Sequence, residues 1–141
     1  MSAEQQPYDR FCSLTRLQAL HAMGIAAHGG TVGVRDALCP GATLGAAWSA
    51  EEYNARPGAV PGLMFAVYLL FYFATKQCFV DGNKRIAWLA MSEVLAGMGL
   101  EVDASDDEAE ALVMAIASNR FKDVEPVFLW VVEHLSELAA P

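Results

Sequence analysis

Gly62-Leu63-Met64-Phe65-Ala66-Val67-Tyr68-Leu69-Leu70-Phe71-Tyr72-Phe73-Ala74 is a run of thirteen residues without a charge or a side-chain amide. It falls short of the roughly 18 residues that a membrane span needs. It is long for a strand, and its Leu, Met and Ala favour helix. The run is therefore read as a buried helix. A helix that is apolar all round has to be covered on every side, so the other segments are expected to wrap it in an all-α domain.

Working outward toward the N-terminus, Thr31 to Pro61 contains Gly33, Pro40, Gly41, Gly45, Pro57, Gly58 and Pro61. These interrupt any long period and predict loops with one or two short helices. Before them, Ser13 is an N-cap candidate for a helix to about His28, where Gly29-Gly30 can supply the positive φ of a C-terminal cap. Residues 1–12 read as a flexible arm.

Toward the C-terminus, a second long helix is expected from Gly82 or Asn83 through Ile86, Leu89, Ala90 and Leu95, with a stop at Gly97 or Gly99. Ser105-Asp106-Asp107-Glu108 has the Ser-x-x-Glu form of a capping box, its acids lying over the positive end of the next helix. Ala109, Leu112, Val113, Ile116 and Ala117 mark that helix's buried face. Asp123 is placed to cap a last helix through about Leu138, with Pro126 in the first turn, where a missing N–H costs little. No segment alternates as a strand, no internal repeat is present, and 141 residues suit a single domain over 1–141.

Hydrophobic residues make up 55% of the chain and charged residues 18%, which suits a packed core and excludes disorder by composition. The net charge of −8 argues against a nucleic-acid partner, which would need a broad basic surface. Lys76, Lys84 and Arg85 nevertheless fall within ten positions of one another, a local positive patch suited to a small anion. Cys12, Cys39 and Cys78 are odd in number and share no CxxC spacing, so neither a disulfide framework nor a zinc site is expected. That usage fits a reducing cytoplasm. Met1 to Pro7 shows no basic stretch followed by an apolar one, so no secretory signal is read.

The chemistry concentrates between the two longest helices. Asp81-Gly82-Asn83 precedes the second, so several free backbone N–H groups should point at whatever sits over that helix end. Gly82 lets the backbone turn tightly, and Lys84 and Arg85 add charge suited to phosphate oxygens. Asp81 is a hard oxygen ligand suited to Mg²⁺ beside a nucleotide's phosphates. The bland reading of the same residues is a helix N-cap followed by two solvated cations. His21, His28 and His134 read as packing or surface residues and Cys78 as structural. Trp48, Tyr53 and Tyr72 can belong to core or cleft.

The string Phe79-Val80-Asp81-Gly82-Asn83-Lys84-Arg85-Ile86-Ala87-Trp88 resembles the death-on-curing (Doc) form of the Fic signature, His-x-Phe-x-Asp-(Gly/Ala)-Asn-Lys-Arg. The segment His28-Gly29-Gly30-x-x-Gly33-Val34-Arg35-Asp36 is similar to one that precedes the signature in many Doc proteins. Gly99 to Ser105 and the acidic capped helix after it resemble the region that follows. The similarity spans roughly Leu14 to Leu135. It implies a compact α-helical fold in which Phe79 anchors the loop, Asp81 holds a metal, and Gly82, Asn83, Lys84 and Arg85 bind the phosphates of Mg-ATP or another nucleotide. The Fic signature proper reads Gly-Asn-Gly-Arg with a second Arg three positions on. Here Lys84 replaces the Gly and Trp88 the Arg, which favours the Doc branch and phosphoryl rather than nucleotidyl transfer to a protein hydroxyl.

The first signature position departs from the pattern: Gln77 stands where the family carries its general-base His, and Lys76 where related sequences often carry Asn. A glutamine amide cannot take a proton from the attacking hydroxyl, although it can orient one. The resemblance thus implies a Doc-like, ATP-dependent transferase of toxin–antitoxin ancestry, with an antitoxin peptide as partner, a translation-factor hydroxyl as target, and weak or lost activity. Two further readings compete. One is an inert pseudoenzyme that binds a nucleotide or a partner; the other is a different group transfer, with Lys76 and Gln77 retuned for another donor.

Overall fold

The computed structural model describes residues 5–55 and 57–139. The described residues form helices α1 (Asp9–Cys12), α2 (Leu14–His28), α3 (Cys39–Tyr53), α4 (Leu63–Lys76) and α5 (Asn83–Gly97), strand β1 (Leu100–Val102), helices α6 (Asp106–Ala117) and α7 (Glu125–Glu133), and strand β2 (Leu135–Glu137). The all-α class is borne out. No helix among these residues is long and apolar enough to cross a membrane.

The apolar run forms α4 and lies at the centre. No residue from Leu63 to Thr75 is exposed, and Phe65, Leu69, Leu70 and Phe73 are wholly buried. Its main neighbours are α5 and α3, with α6 and α7 also packed on it. Fully burying such a side chain contributes about 1.5–3 kcal/mol, so this one helix supplies a large share of the driving force for folding.

The caps behave as their chemistry dictates. Ser13 accepts from the Arg16 N–H, Gly29 ends α2 with φ 87°, and Ser105 and Glu108 form the reciprocal capping box of α6. The start of α4 is different, since Gly62 has no side chain to cap with and sits in the left-handed region at φ 92°. The cap comes from α3. Glu51, buried in its last turn, accepts through Oε1 from the N–H groups of Gly62 (3.2 Å) and Phe65 (3.0 Å). A carboxylate there also meets the positive end of the helix dipole.

Four expectations need correction. Residues 9–12 form a helical turn, with Tyr8 and Cys12 buried, instead of belonging to a flexible arm; positions 1–4 of that arm lie outside the described residues. Tyr8 stacks on Phe65, and a Cβ at Gly62 would meet Phe11 at 2.6 Å, so aromatic packing holds this turn on α4. The 31–61 stretch contains the 15-residue helix α3. Pro40 falls in its first turn, and burial of Leu44 and Ala47 outweighs the roughly 1 kcal/mol that each interior Gly costs.

The last helix stops at Glu133, and the residues after it return as β2, antiparallel to β1 with Val102 opposite Leu135. Strands of three residues are too short for alternation to show in a sequence. Finally, Cys39 and Cys78 form a disulfide. Their separation of 39 positions carries no local signature, and they meet because the start of α3 packs under the loop after α4.

The borrowed cap is testable by urea denaturation. Glu51→Ala leaves two buried N–H groups unpaired and is expected to lower stability by about 1–3 kcal/mol, with Glu51→Gln, which keeps an acceptor oxygen, losing less. An unchanged midpoint in Glu51→Ala would contradict the assignment.

Candidate functional site

Helix α4 ends at Lys76, and Gln77 reverses the chain with φ 53° and ψ 54°, a left-handed conformation uncommon for a residue with a Cβ. Cys78 and Phe79 then plunge into the core, while Val80 and Asp81 emerge at the surface. Gly82, at φ 76°, opens α5 without a side-chain cap.

Two contacts clamp the turn from beneath. The Asn83 carboxamide closes on Phe79 from both sides: Oδ1 accepts from the Phe79 N–H, and Nδ2 donates to the Phe79 carbonyl, each at 2.9 Å. His21 of α2 stacks on the Phe79 ring at 3.9 Å, and its Nε2 lies 2.8 Å from the Asp81 carbonyl oxygen. A carbonyl only accepts, so Nε2 carries the proton of that bond. His21 thus ties α2 to the loop.

The segment before α3 closes the outer edge. Arg35 N–H donates to the Cys78 carbonyl (2.8 Å) and Val80 N–H to the Gly33 carbonyl (3.0 Å), which makes an antiparallel bridge between Val34 and Phe79. Asp81 Oδ2 accepts from the Thr31 N–H at 2.7 Å. Arg35 Nη1 reaches Gln77 Oε1 at 3.4 Å. Since a guanidinium has no acceptor, the Gln77 oxygen must face Arg35, and this orients its NH₂ group.

Above this frame lies an open cleft of about 370 Å³, bordered by Gly30, Gln77 and Asp81 to Arg85. The sequence-derived candidates are therefore brought together: Asp81, Gly82, Asn83, Lys84, Arg85 and Gln77 all line it. The first bond into α5 runs from the Ile86 N–H to the Gly82 carbonyl (2.9 Å). The N–H groups of Asn83, Lys84 and Arg85 are left without a backbone partner. Neither Lys84 nor Arg85 forms an ion pair among the described residues, where the pairs are Arg16–Glu93 and His134–Glu108. The stem of Arg85 lies on Gly24 of α2, where an added Cβ would sit 3.2 Å from Cδ. Unpaired cations and free N–H groups at a helix start are the physical makings of an anion site.

The Asn83 side chain is occupied by Phe79, so what it presents to the cleft is its backbone N–H. Asp81 Oδ1 has no hydrogen-bond partner among the described residues. No group of three or more His, Cys, Asp or Glu able to hold a metal occurs among the described residues. One carboxylate does not make a protein cage for a metal, but it fits Mg²⁺ that is bound largely through a ligand's phosphates. Lys76 places its ammonium over the Tyr72 ring at 4.8 Å and does not line the cleft. His28 and Tyr53 are exposed, His134 bonds the Trp130 carbonyl, and Trp48 packs on Phe11 and Phe65.

Arg35 and Thr31 take part in the site without a role assigned to them by sequence, and His21, read as a packing or surface residue, packs on Phe79 and also bonds the Asp81 carbonyl. They arrive from 42, 50 and 60 positions away, where no spacing rule operates. For Arg35, its place in the quoted segment ahead of the loop was the available signal.

No curated protein matches the chain. A family model described as Fic/DOC family matches residues 11–95, which include the bridge, the loop and nearly all of α5. The match covers more than half of the 141 residues and contains the whole cleft except its α6 edge, so the chain belongs to the Fic/DOC family.

Proposed function

We propose that the cleft takes the phosphates of a nucleotide, with Mg-ATP the fitting donor, and that the protein is a Doc-like transferase slowed by Gln77. Family membership implies transferase-type chemistry on a nucleotide. The observation that carries the reading is the start of α5, where three free N–H groups, Lys84 and Arg85 meet without a carboxylate partner.

In this reading the N–H groups of Asn83 to Arg85 bind phosphate oxygens, and the two cations balance their charge. Asp81 Oδ1 would hold Mg²⁺, which when bound shields the phosphate charge. The hydroxyl oxygen of a target protein attacks the terminal phosphorus, the bond to the leaving diphosphate breaks, and the hydroxyl proton must go to an acceptor. Gln77 is not one. Held through Oε1 by Arg35, it presents amide N–H groups that can donate to the attacking oxygen or to phosphate and so orient them. Positioning and electrostatics carry most of phosphoryl transfer, whereas a general base adds roughly 10² to 10⁴ in rate. The expected enzyme is therefore slow.

Phosphoryl transfer, an antitoxin partner, a translation-factor target and a cytoplasmic location with ready access to ATP all belong to this proposal. A second reading, a pseudoenzyme that binds nucleotide or partner without transfer, is favoured by the same Gln77.

Two measurements separate them. By titration calorimetry, wild type should bind Mg-ATP, and Lys84→Ala with Arg85→Ala should weaken binding at least tenfold, since bonds to charged groups contribute about 1.5–3 kcal/mol each. No magnesium-dependent binding by either protein would leave the cleft vestigial. With labelled ATP and a cell lysate, transfer by wild type should be weak and should rise at least tenfold in Gln77→His, which restores a base of ordinary pKa about 6.5. Robust wild-type transfer unchanged by that substitution would point to another base, and nucleotide binding without transfer in either protein would favour the pseudoenzyme.

A further inference from the structure

The Cys39–Cys78 bond joins the first residue of α3 to the residue between Gln77 and Phe79. Cys78 is 1% exposed and held on both sides, by the Asn83 grip on Phe79 and by the Arg35 N–H on its own carbonyl. Cys39 is the more open partner, half-buried at a helix start, and the Gly33–Leu38 segment before it is almost wholly exposed. Arg35 to Cys39 is therefore a five-residue ring tied to Cys78 at both ends, by a backbone hydrogen bond and by a covalent bond. The same Arg35 reaches the side-chain oxygen of Gln77 at 3.4 Å.

We propose that Cys39 and Cys78 form a thiol–disulfide switch: oxidised, it locks the Gly33–Leu38 segment against the loop and fixes Gln77 at the cleft; reduced, it releases that segment. Opening the bond requires the two sulfurs to move apart to van der Waals distance. Cys78 cannot yield without disturbing Phe79, so the displacement falls on Cys39 and the exposed segment that carries Arg35.

The chemistry is a two-electron exchange. Hydrogen peroxide oxidises the two thiols to a disulfide and is reduced to two waters; a dithiol reverses this by thiolate attack on the disulfide and leaves as its own cyclic disulfide. Cys12 takes no part. It is buried, and burial, then Glu93, against the opposing effect of Arg16, pushes its thiol up to about 12. Disulfides in a reducing compartment are usually transient, catalytic or redox-sensing, so a switch also accommodates the cytoplasmic location proposed above.

The test uses the full ¹⁵N-labelled chain treated with hydrogen peroxide or with dithiothreitol. Thiol titration after denaturation should give one free thiol in the oxidised protein and three in the reduced one. Amide exchange at Arg35 and Val80, whose N–H groups form the bridge, should rise at least tenfold on reduction, while Leu112 and Val113 in α6 stay unchanged. Cys39→Ser, a first-turn change that leaves Cys78 in place, should show the reduced-state exchange with or without peroxide.

Three thiols after peroxide, Arg35 and Val80 exchange within twofold in the two states, or Cys39→Ser matching the oxidised protein would each overturn the switch. Its effect on the cleft rests on the phosphate reading and is measured separately, with inorganic tripolyphosphate as probe. If exchange responds while neither redox state binds tripolyphosphate, the switch stands and the nucleotide reading fails.

Discussion

The grip of the Asn83 carboxamide on both backbone groups of Phe79 is the constraint on which the cleft depends. It joins the end of the buried crossing from α4 to the first residue of α5 and so sets how the free N–H groups of that helix face outward. The bond pair is half-buried and its partners are backbone atoms, so losing one side would leave polar groups that no rotamer can re-pair. His21 reinforces it by stacking on the same Phe79 ring and holding the next exposed carbonyl.

This arrangement divides the signature residues by role. Phe79 and Asn83 make the turn; Gly82 permits it. Lys84, Arg85 and the first N–H groups of α5 are left over, uncompensated by any carboxylate among the described residues, and they give an acidic protein of net charge −8 one place suited to an anion. Asp81 belongs partly to each group, with one oxygen fixed by Thr31 and the other without a partner among the described residues. Gln77 sits between them, its backbone held in a left-handed turn and its amide aimed by Arg35.

Much of the fold was legible where the physics is local. An unbroken apolar run announces a buried helix, Ser13 and Ser105 announce helix starts by the hydroxyl each presents, and Gly97 and Gly99 announce an end. Where the fold depends on distant partners the sequence is silent. Nothing near Glu51 indicates that it caps α4, nothing near Tyr8 indicates Phe65, and the Gly and Pro residues of the 31–61 stretch conceal α3, a helix held by what it packs on. The same division holds at the cleft. Asp81 to Arg85 are contiguous, so their convergence could be read directly, whereas His21, Thr31, Arg35 and Cys39 reach the loop only through tertiary folding, and the pairing of Cys39 with Cys78 overturned the expectation drawn from cysteine spacing.

The central claim is that the start of α5 is a phosphate site, and residue-resolved amide shifts test it most directly. On addition of Mg-ATP to ¹⁵N-labelled protein, the largest perturbations should fall on Asn83, Lys84 and Arg85, with smaller ones at Gly30 and Gln77. Perturbations centred elsewhere, or none at millimolar nucleotide, would contradict it.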